Sequence, residues 1–547
     1  MTKKSGLSVK LLAISSSEEG QKSYRYIKLH DVHNYKYKKI LILSSDVNDP
    51  KILKRRLIDE GLSLEMTAKD WGDVYSELTK VPKKRVRLCI RPGYIDKDGF
   101  LSYLTMSGEF YGRSGNEELK PLPYPGSKSF PFEESCNGTL DEWKYYVAAL
   151  ALHSPQMTLA MCSAFAGYCC YLSDIETGGF HFYGNSSSGK STALHVAASI
   201  RGDKQLVKSW KMTDTAFEET AEAYNDNLLI LDELKLSNKK QEHAAQDVQH
   251  LIYMLSEGQG KKRSVEFQKT VHRWRMIILS AGERSLGQHA QDGGIEKMDG
   301  EKTRLIDIPI KNDGGDGIFD SIPADFDSGT LSETIQYNCS KYYGAAGECF
   351  LSNLVARNKQ DSKDLIKKHV NAFLDTFLKS EGGVQRRIAK RFALAYAAGM
   401  LAVKYKILPS TYDNIASSVG YCYHLAISTS TSKLGCLFSK EFIDYFLSEM
   451  VVDSRSGIHK RDDLESSLAF IVDINNVSVF AIDNEYLSNN LLISKKDCVA
   501  LLKNKGIIYS DAQGKSTRQI TYQGRGMTRR YCLKLQPFMD LLNGKTM

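Results

Sequence analysis

The chain has 547 residues, 42% of them hydrophobic and 25% charged, a globular composition long enough for three or four domains. Its 73 Lys and Arg exceed 65 Asp and Glu, a net charge of +8 that permits a nucleic-acid partner without demanding one. Only twelve prolines argue against a disordered or fibrous chain, and eleven cysteines without framework spacing read as the reduced thiols of a cytoplasmic protein.

The first twenty residues lack an apolar core with a cleavage site, so no signal peptide is expected. Residues 39–45 read as a strand and residues 50–62 as a helix ending at Gly61; with their surroundings they suggest an N-terminal accessory α+β domain over 1–88. A β-rich segment follows over 89–137. Its Pro-, Gly- and Ser-rich stretch 113–138 is expected to be a linker or an extended strap. Gly138, Thr139, Leu140 and Asp141 look like a helix entry. The uncharged run 157–172 falls short of the ~20 residues that cross a bilayer, so a buried helix is expected and no membrane partner. Strands and helices then alternate to about 310, the pattern of a parallel α/β sheet, which gives a nucleotide-binding core over 138–330. Residues 331–430 read as a helical lid, and 431–547 as a basic C-terminal domain.

The strongest signal is at 179–199. An apolar strand runs into Gly184, Asn185, Ser186, Ser187, Ser188, Gly189, Lys190 and Ser191, which match G-x-x-x-x-G-K-[ST], and Thr192 continues into helical composition. Backbone N–H groups of such a loop cradle the phosphates of a nucleotide; the lysine reaches the β- and γ-phosphates, and the Ser191 hydroxyl goes to Mg²⁺. The cofactors expected are therefore ATP and Mg²⁺. Further on, the apolar run 228–231 ends in Asp232 and Glu233. A buried strand would carry both acids to the edge that holds the loop, Asp232 for the metal and Glu233 for the attacking water. A third apolar strand ends at Ser280, where ATPases of the AAA+ class place a polar group that orients water. Arg304 stands just ahead of the apolar run 305–310, where that class places an arginine finger for a neighbouring subunit's nucleotide. A homo-oligomeric ring would follow.

Two basic regions are candidates for nucleic acid. Residues 258–275 read as a hairpin carrying Lys261, Lys262, Arg263, Lys269 and Arg273, suited to DNA phosphates in a ring pore. Residues 495–534 hold ten Lys and Arg, among them Arg529 and Arg530, against two Asp. Their order of short helix, strand, glycine-bearing turn and strand is that of a winged helix.

Together GFHFYGNSSSGKST, NLLILDEL, WRMIILSAGE, EKTRLIDIP and VQRRIAKRFALAYAAGMLA resemble the domain of unknown function 927 family over about 90–405. These are AAA+ helicase-like proteins of mobile genetic elements, similar to self-loading replicative helicases of the MCM type. The resemblance implies an AAA+ P-loop ATPase core, a hexameric ring, a helicase role in replication initiation of a mobile element, and lid-helix arginines at Arg387 and Arg391, one of them a second nucleotide sensor. The competing expectation is an ATP-driven regulatory or phage-defence switch without unwinding. A metabolite kinase is disfavoured by Arg304 and the basic hairpin.

Overall fold

The computed structural model describes residues 8–17, 22–97, 100–112, 118–131, 133–233, 241–261, 271–292, 299–310, 317–378, 383–431, 438–448, 451–491, 495–511 and 513–542. The chain divides into two compact units, Met1–Tyr423 and His424–Met547.

The first unit begins with strands β1 (Val9–Ser17), β2 (Tyr24–Asp31), β3 (Lys36–Leu43) and β4 (Arg85–Cys89). Helices Pro50–Asp59 and Ala68–Thr79 cover one face of this sheet. Their Leu53, Leu57, Val74 and Leu78 pack on Val9, Leu11, Ile27, Leu29 and Ile42. Each helix starts on a side-chain cap, Asp49 for the first and a Thr67–Asp70 capping box for the second, so their polar N-termini are satisfied locally. A small antiparallel sheet follows, made of β5 (Gly93–Lys97), β6 (Phe100–Leu104) and β7 (Phe110–Tyr111). The Pro-rich stretch expected as a linker or an extended strap contributes β8 (Glu118–Pro123), which pairs in parallel with β4 as an edge strand of the first sheet. Prolines lack the N–H a central strand needs, and the edge is the position that tolerates Pro121 and Pro123.

The central sheet of this unit is parallel throughout, with β9 (Gly178–Tyr183), β10 (Val207–Ser209), β11 (Asn227–Asp232), β12 (Met276–Gly282) and β13 (Leu305–Pro309) in the order β10-β11-β12-β9-β13. Parallel strands are covered on both faces, which is why β11 and β12 are continuous apolar runs rather than alternating ones. Helix Pro155–Gly167 is buried along its whole length, with Pro155 in its first turn and Ser154 as its cap. It lies close to β11: a methyl on Gly167 would meet the Asn227 backbone at 2.5 Å. It lies equally close to helix Gly383–Lys404, where a methyl on Gly399 would meet Cys162 Sγ at 2.5 Å. Helix entry at Thr139 is a capping box with Glu142. Helices Ser328–Cys339, Ala345–Val355, Lys359–Phe377, Gly383–Lys404 and Tyr412–Thr431 make up the helical region. No helix among the described residues is long and apolar enough to cross a membrane.

The second unit is a five-stranded sheet of β14 (Val452–Asp453), β15 (Ala469–Ile474), β16 (Val477–Ile482), β17 (Thr517–Tyr522) and β18 (Arg525–Lys534), in the order β14-β15-β16-β18-β17. Its core is an aromatic cluster in which Phe442, Phe446 and Phe480 surround Phe538. Helix Lys495–Asn504 precedes the β17–β18 hairpin, whose turn runs through Gln523 and Gly524, both at positive φ.

Candidate functional site

Because the central sheet is parallel, the C-terminal ends of β9, β11 and β12 share one edge, and the loop after β9 sits there. Gly189 caps helix Lys190–Ser199 at φ 91, and Ser187 is also left-handed at φ 60. Both conformations turn backbone N–H groups toward one concave side. A methyl on Gly189 would meet Ile318 Cγ2 at 2.5 Å, so the position is closed to larger residues by space as well as by φ. Asn185, Ser186 and Ser187 are exposed, whereas Ser188 is buried. Lys190 is 9% exposed and donates to the Gly184 carbonyl at 2.8 Å, the Asn185 carbonyl at 2.5 Å and the Ser188 hydroxyl at 3.2 Å. Its ammonium thus spans the mouth of the loop. Ser191 donates to Asp232 Oδ2 at 3.0 Å, and the Glu233 N–H donates to Asp232 Oδ1 at 2.8 Å. Glu233 is exposed at φ 57, a strained conformation for a residue with a Cβ, and one that turns the chain at the end of β11. Thr192 faces away: its hydroxyl lies 2.6 Å from Ser332 Oγ and accepts from Gln336 Nε2 at 2.7 Å. It ties this helix to Ser328–Cys339.

A hydroxyl and a carboxylate in hydrogen-bond contact are hard oxygen donors, the set Mg²⁺ takes with few protein ligands. Beside them lies a left-handed loop with a lysine, a cradle for phosphate. The residues present therefore fit a magnesium–nucleotide pair.

Ser280 is fully buried, and its surroundings define its hydrogen bonds. His181 Nε2 lies 3.0 Å from the Arg284 carbonyl, so that nitrogen carries the proton. In the neutral ring Nδ1 is then an acceptor, 3.0 Å from Ser280 Oγ. Trp210 Nε1 donates to the same hydroxyl at 3.1 Å. The chain Trp210–Ser280–His181–Arg284 ties the serine hydroxyl to groups inside the sheet. His181 and Trp210 were not singled out by their sequence context. The one available signal was a histidine between two phenylalanines in a strand too apolar to leave it unpartnered.

Arg304 lies at the opposite end of the sheet. Leu305 pairs with Gly179 and Pro309 with Tyr183, so one strand length, about 15 Å at ~3.3 Å per residue, separates Arg304 from the loop of its own chain. Its guanidinium stacks on Tyr253 at 4.5 Å and donates to the Gly300 carbonyl at 2.9 Å, beside edge strand β13. Arg391 is at this same end. It donates to the Thr177 carbonyl at 3.1 Å and to the Arg387 carbonyl at 3.3 Å, and burial pulls its pKa down to about 10. Arg387 and Arg391 therefore do not approach the loop of their own chain.

The stem of the basic hairpin is present: Gln259 bridges Arg273, Gly260 N–H donates to the His272 carbonyl, and Trp274 N–H to the Gly258 carbonyl. Lys261 is exposed and pairs with Asp214 at 2.8 Å, and Arg273 is exposed. Lys262, Arg263 and Lys269 lie outside the described residues. The stem rests on Glu222, which accepts from His272 Nδ1 at 2.8 Å. The hydrogen bond with Glu222 raises the His272 pKa against the opposing effect of burial. Burial pushes Glu222 up, but its bonds from His272 and Ser129 bring it below the usual range.

In the second unit the expectation for Arg530 is corrected. It is 1% exposed and donates to the carbonyls of Ser467, Glu465 and Leu464, capping helix Arg461–Ser466, with its guanidinium over Phe470 at 5.3 Å. A side chain committed inside the unit cannot reach a DNA phosphate. Arg529 is on the surface and pairs with Asp511 at 2.6 Å.

Residues 6–270 match the family described as domain of unknown function (DUF927). The match starts earlier and ends earlier than the resemblance read from the motifs: it includes the loop, Asp232 and Glu233 and excludes Ser280, Arg304, Arg387 and Arg391. Among solved structures, one titled "SCCmec type IV Cch - active helicase" is similar over 98% of this chain and 94% of its own, with TM-score 0.57 and 18% identity, which is a likeness of fold. The C-terminal region of NrS-1, in its apo form, aligns with 75% of this chain and 91% of its own at TM-score 0.25 and 10% identity. No curated protein matches the chain.

Proposed function

We propose that this protein is an AAA+ P-loop ATPase that assembles as a ring, a hexamer in the first instance, and uses ATP to move along and unwind DNA in the replication of a mobile genetic element. The observation that carries the reading is the contact of Ser191 with Asp232, 3.0 Å apart at the foot of a left-handed loop that ends in Lys190. The sheet order β10-β11-β12-β9-β13 is that of the AAA+ class, and the fold likeness to a solved structure titled an active helicase supports the same choice.

When bound, Mg²⁺ and ATP would supply a γ-phosphoryl group polarised for attack by water. Lys190 would exchange the carbonyls of Gly184 and Asn185 for phosphate oxygens. Loop N–H groups from Gly184 to Ser191 would bind the phosphates, while Ser191 and Asp232 hold the metal. Glu233, exposed beyond the strand end, would take the proton from the attacking water. Ser280 would act through His181 on the segment leading to Arg284, as a positioning residue. Arg304 would complete the site of the adjacent copy, and Arg387 and Arg391 lie on the same side. The hairpin Gly258–Trp274 would face the DNA in the ring, and the second unit, with its winged-helix-like hairpin β17–β18, would bind duplex.

Strand displacement on a forked duplex tests the reading, with ATP hydrolysis measured in parallel. Displacement that requires ATP and is lost in Lys190→Ala is expected. Hydrolysis without displacement under conditions where the ring forms would replace the helicase by an ATP-driven switch.

A further inference from the structure

The sheet β3-β2-β1-β4-β8 has one face closed by helices and one that is partly open. On the open face the register places Lys10 opposite Lys28 and Lys28 opposite Lys39, three lysines in one row across three adjacent strands. Like charges directly opposite each other destabilise a sheet, so the row carries a cost that nothing in the first unit's fold explains. Lys10 and Lys39 are exposed, and Lys28 is half-buried over the ring of Tyr37 at 4.4 Å. In the neighbouring row His30 is opposite Tyr37, with ring centroids 5.1 Å apart, and Tyr37 is 57% exposed. Tyr35, at the hairpin tip, is 85% exposed.

The nearby acids are occupied elsewhere. Glu60 pairs at 2.7 Å with Lys38, which belongs to the helix-covered face. Glu77, on the covering helix Ala68–Thr79, is bound to Lys80 and to the Leu11 N–H. Asp31 holds the turn residues His33 and Asn34. Among the described residues, none of Lys10, Lys28 and Lys39 has an ion-pair partner. The row also opens onto a cleft of about 460 Å³ in which Lys39, Tyr26, Leu41, Tyr124 and Ser127 are lining residues.

From this juxtaposition we infer that the open face of the N-terminal sheet binds the backbone of single-stranded nucleic acid, with Lys10, Lys28 and Lys39 on phosphates and Tyr37 stacking on a base. The inference rests on the proposed action on DNA and gives it a second, separate contact. A broad sheet face with exposed rings suits unstacked bases. Duplex would instead call for a helix or ribbon that enters a groove. Strands about 4.8 Å apart set the outer lysines roughly 10 Å from each other, a spacing that lets one strand crossing the sheet meet the row.

The test uses the full chain, a fluorescein-labelled oligothymidine and fluorescence anisotropy across a salt series without nucleotide. The triple variant Lys10→Gln, Lys28→Gln, Lys39→Gln is expected to bind at least tenfold more weakly at low salt, with the log–log salt slope shallower by about 2. Tyr37→Ala should lose affinity severalfold with the slope unchanged, a pattern that a purely structural role would not give. Lys28→Gln alone, with a slope shallower by about 0.7, serves if the triple variant does not fold. Wild-type affinity and slope in the folded lysine variants would overturn the inference, and so would an equal loss on hairpin duplex. Basal ATP hydrolysis separates the two readings. A wild-type chain that does not hydrolyse ATP yet shows the lysine-dependent slope loses the motor function and keeps the binding face.

Discussion

Lys190 reaches three oxygens of its own loop, and its removal takes away the one ammonium the loop holds. Lys190→Ala should lower ATP turnover at least ~100-fold, the scale of losing a preorganised charge at a phosphoryl group, and isothermal titration should show ATP binding lost with it. Glu233→Gln should keep ATP binding while turnover falls by about 10²–10⁴. A wild-type rate in that variant would remove Glu233 from the proton transfer. Ser280→Ala tests a different role. It would remove the buried hydroxyl that Trp210 Nε1 and His181 Nδ1 share, at a cost of about 1–3 kcal/mol in chemical denaturation of the first unit. At this scale the loop and the two acids were legible because their chemistry is contiguous in sequence. Ser280 was legible only as a strand end, since its partners lie 99 and 70 residues away. Arg530 was misread for a related reason: a count of basic residues does not distinguish a guanidinium on the surface from one that caps a helix inside a core.

The uncharged run 157–172 marked a buried helix, which the structure starts earlier and ends earlier, at Pro155–Gly167, and turn chemistry and apolar runs marked the helix entry at Thr139 and the strands of the central sheet. They did not mark β8, because prolines spoke for a loop and only the neighbouring β4 makes an edge strand of them. Nor could they place Arg391, whose helix turns it toward the start of β9 through packing with distant residues. The hairpin stem offers a pH test at the same scale. His272 has a raised pKa, so the stability it adds is complete below its unfolded value and fades as pH rises through the folded one. Glu222 has a lowered pKa, so its contribution is complete above its unfolded value and fades as pH falls through the folded one. The stem should therefore be firmest between these two limits. Hydrogen exchange at the Gly260 and Trp274 amides, corrected for intrinsic rates, should show protection falling on the alkaline side of His272. His272→Ala should remove that alkaline limb.

Across the whole molecule, the two compact units imply separable tasks. A chain ending after helix Tyr412–Thr431 should keep basal ATP turnover and bind duplex DNA more weakly, with a shallower salt dependence in filter binding. Arg304 belongs to this scale as well. Mixing Arg304→Ala with Lys190→Ala subunits should restore part of the ATPase that each lacks alone, because each supplies what the other's interface is missing. No recovery in mixed assemblies that demonstrably form would remove the finger. If Arg304 completes a neighbour's site as proposed, the distance along β9 that separates it from its own loop has a further consequence. A lone copy would hold one half of two different catalytic centres and a whole one of neither. Turnover per molecule would then vanish on dilution and climb steeply once copies begin to meet, so the protein would sense its own abundance without any added regulator.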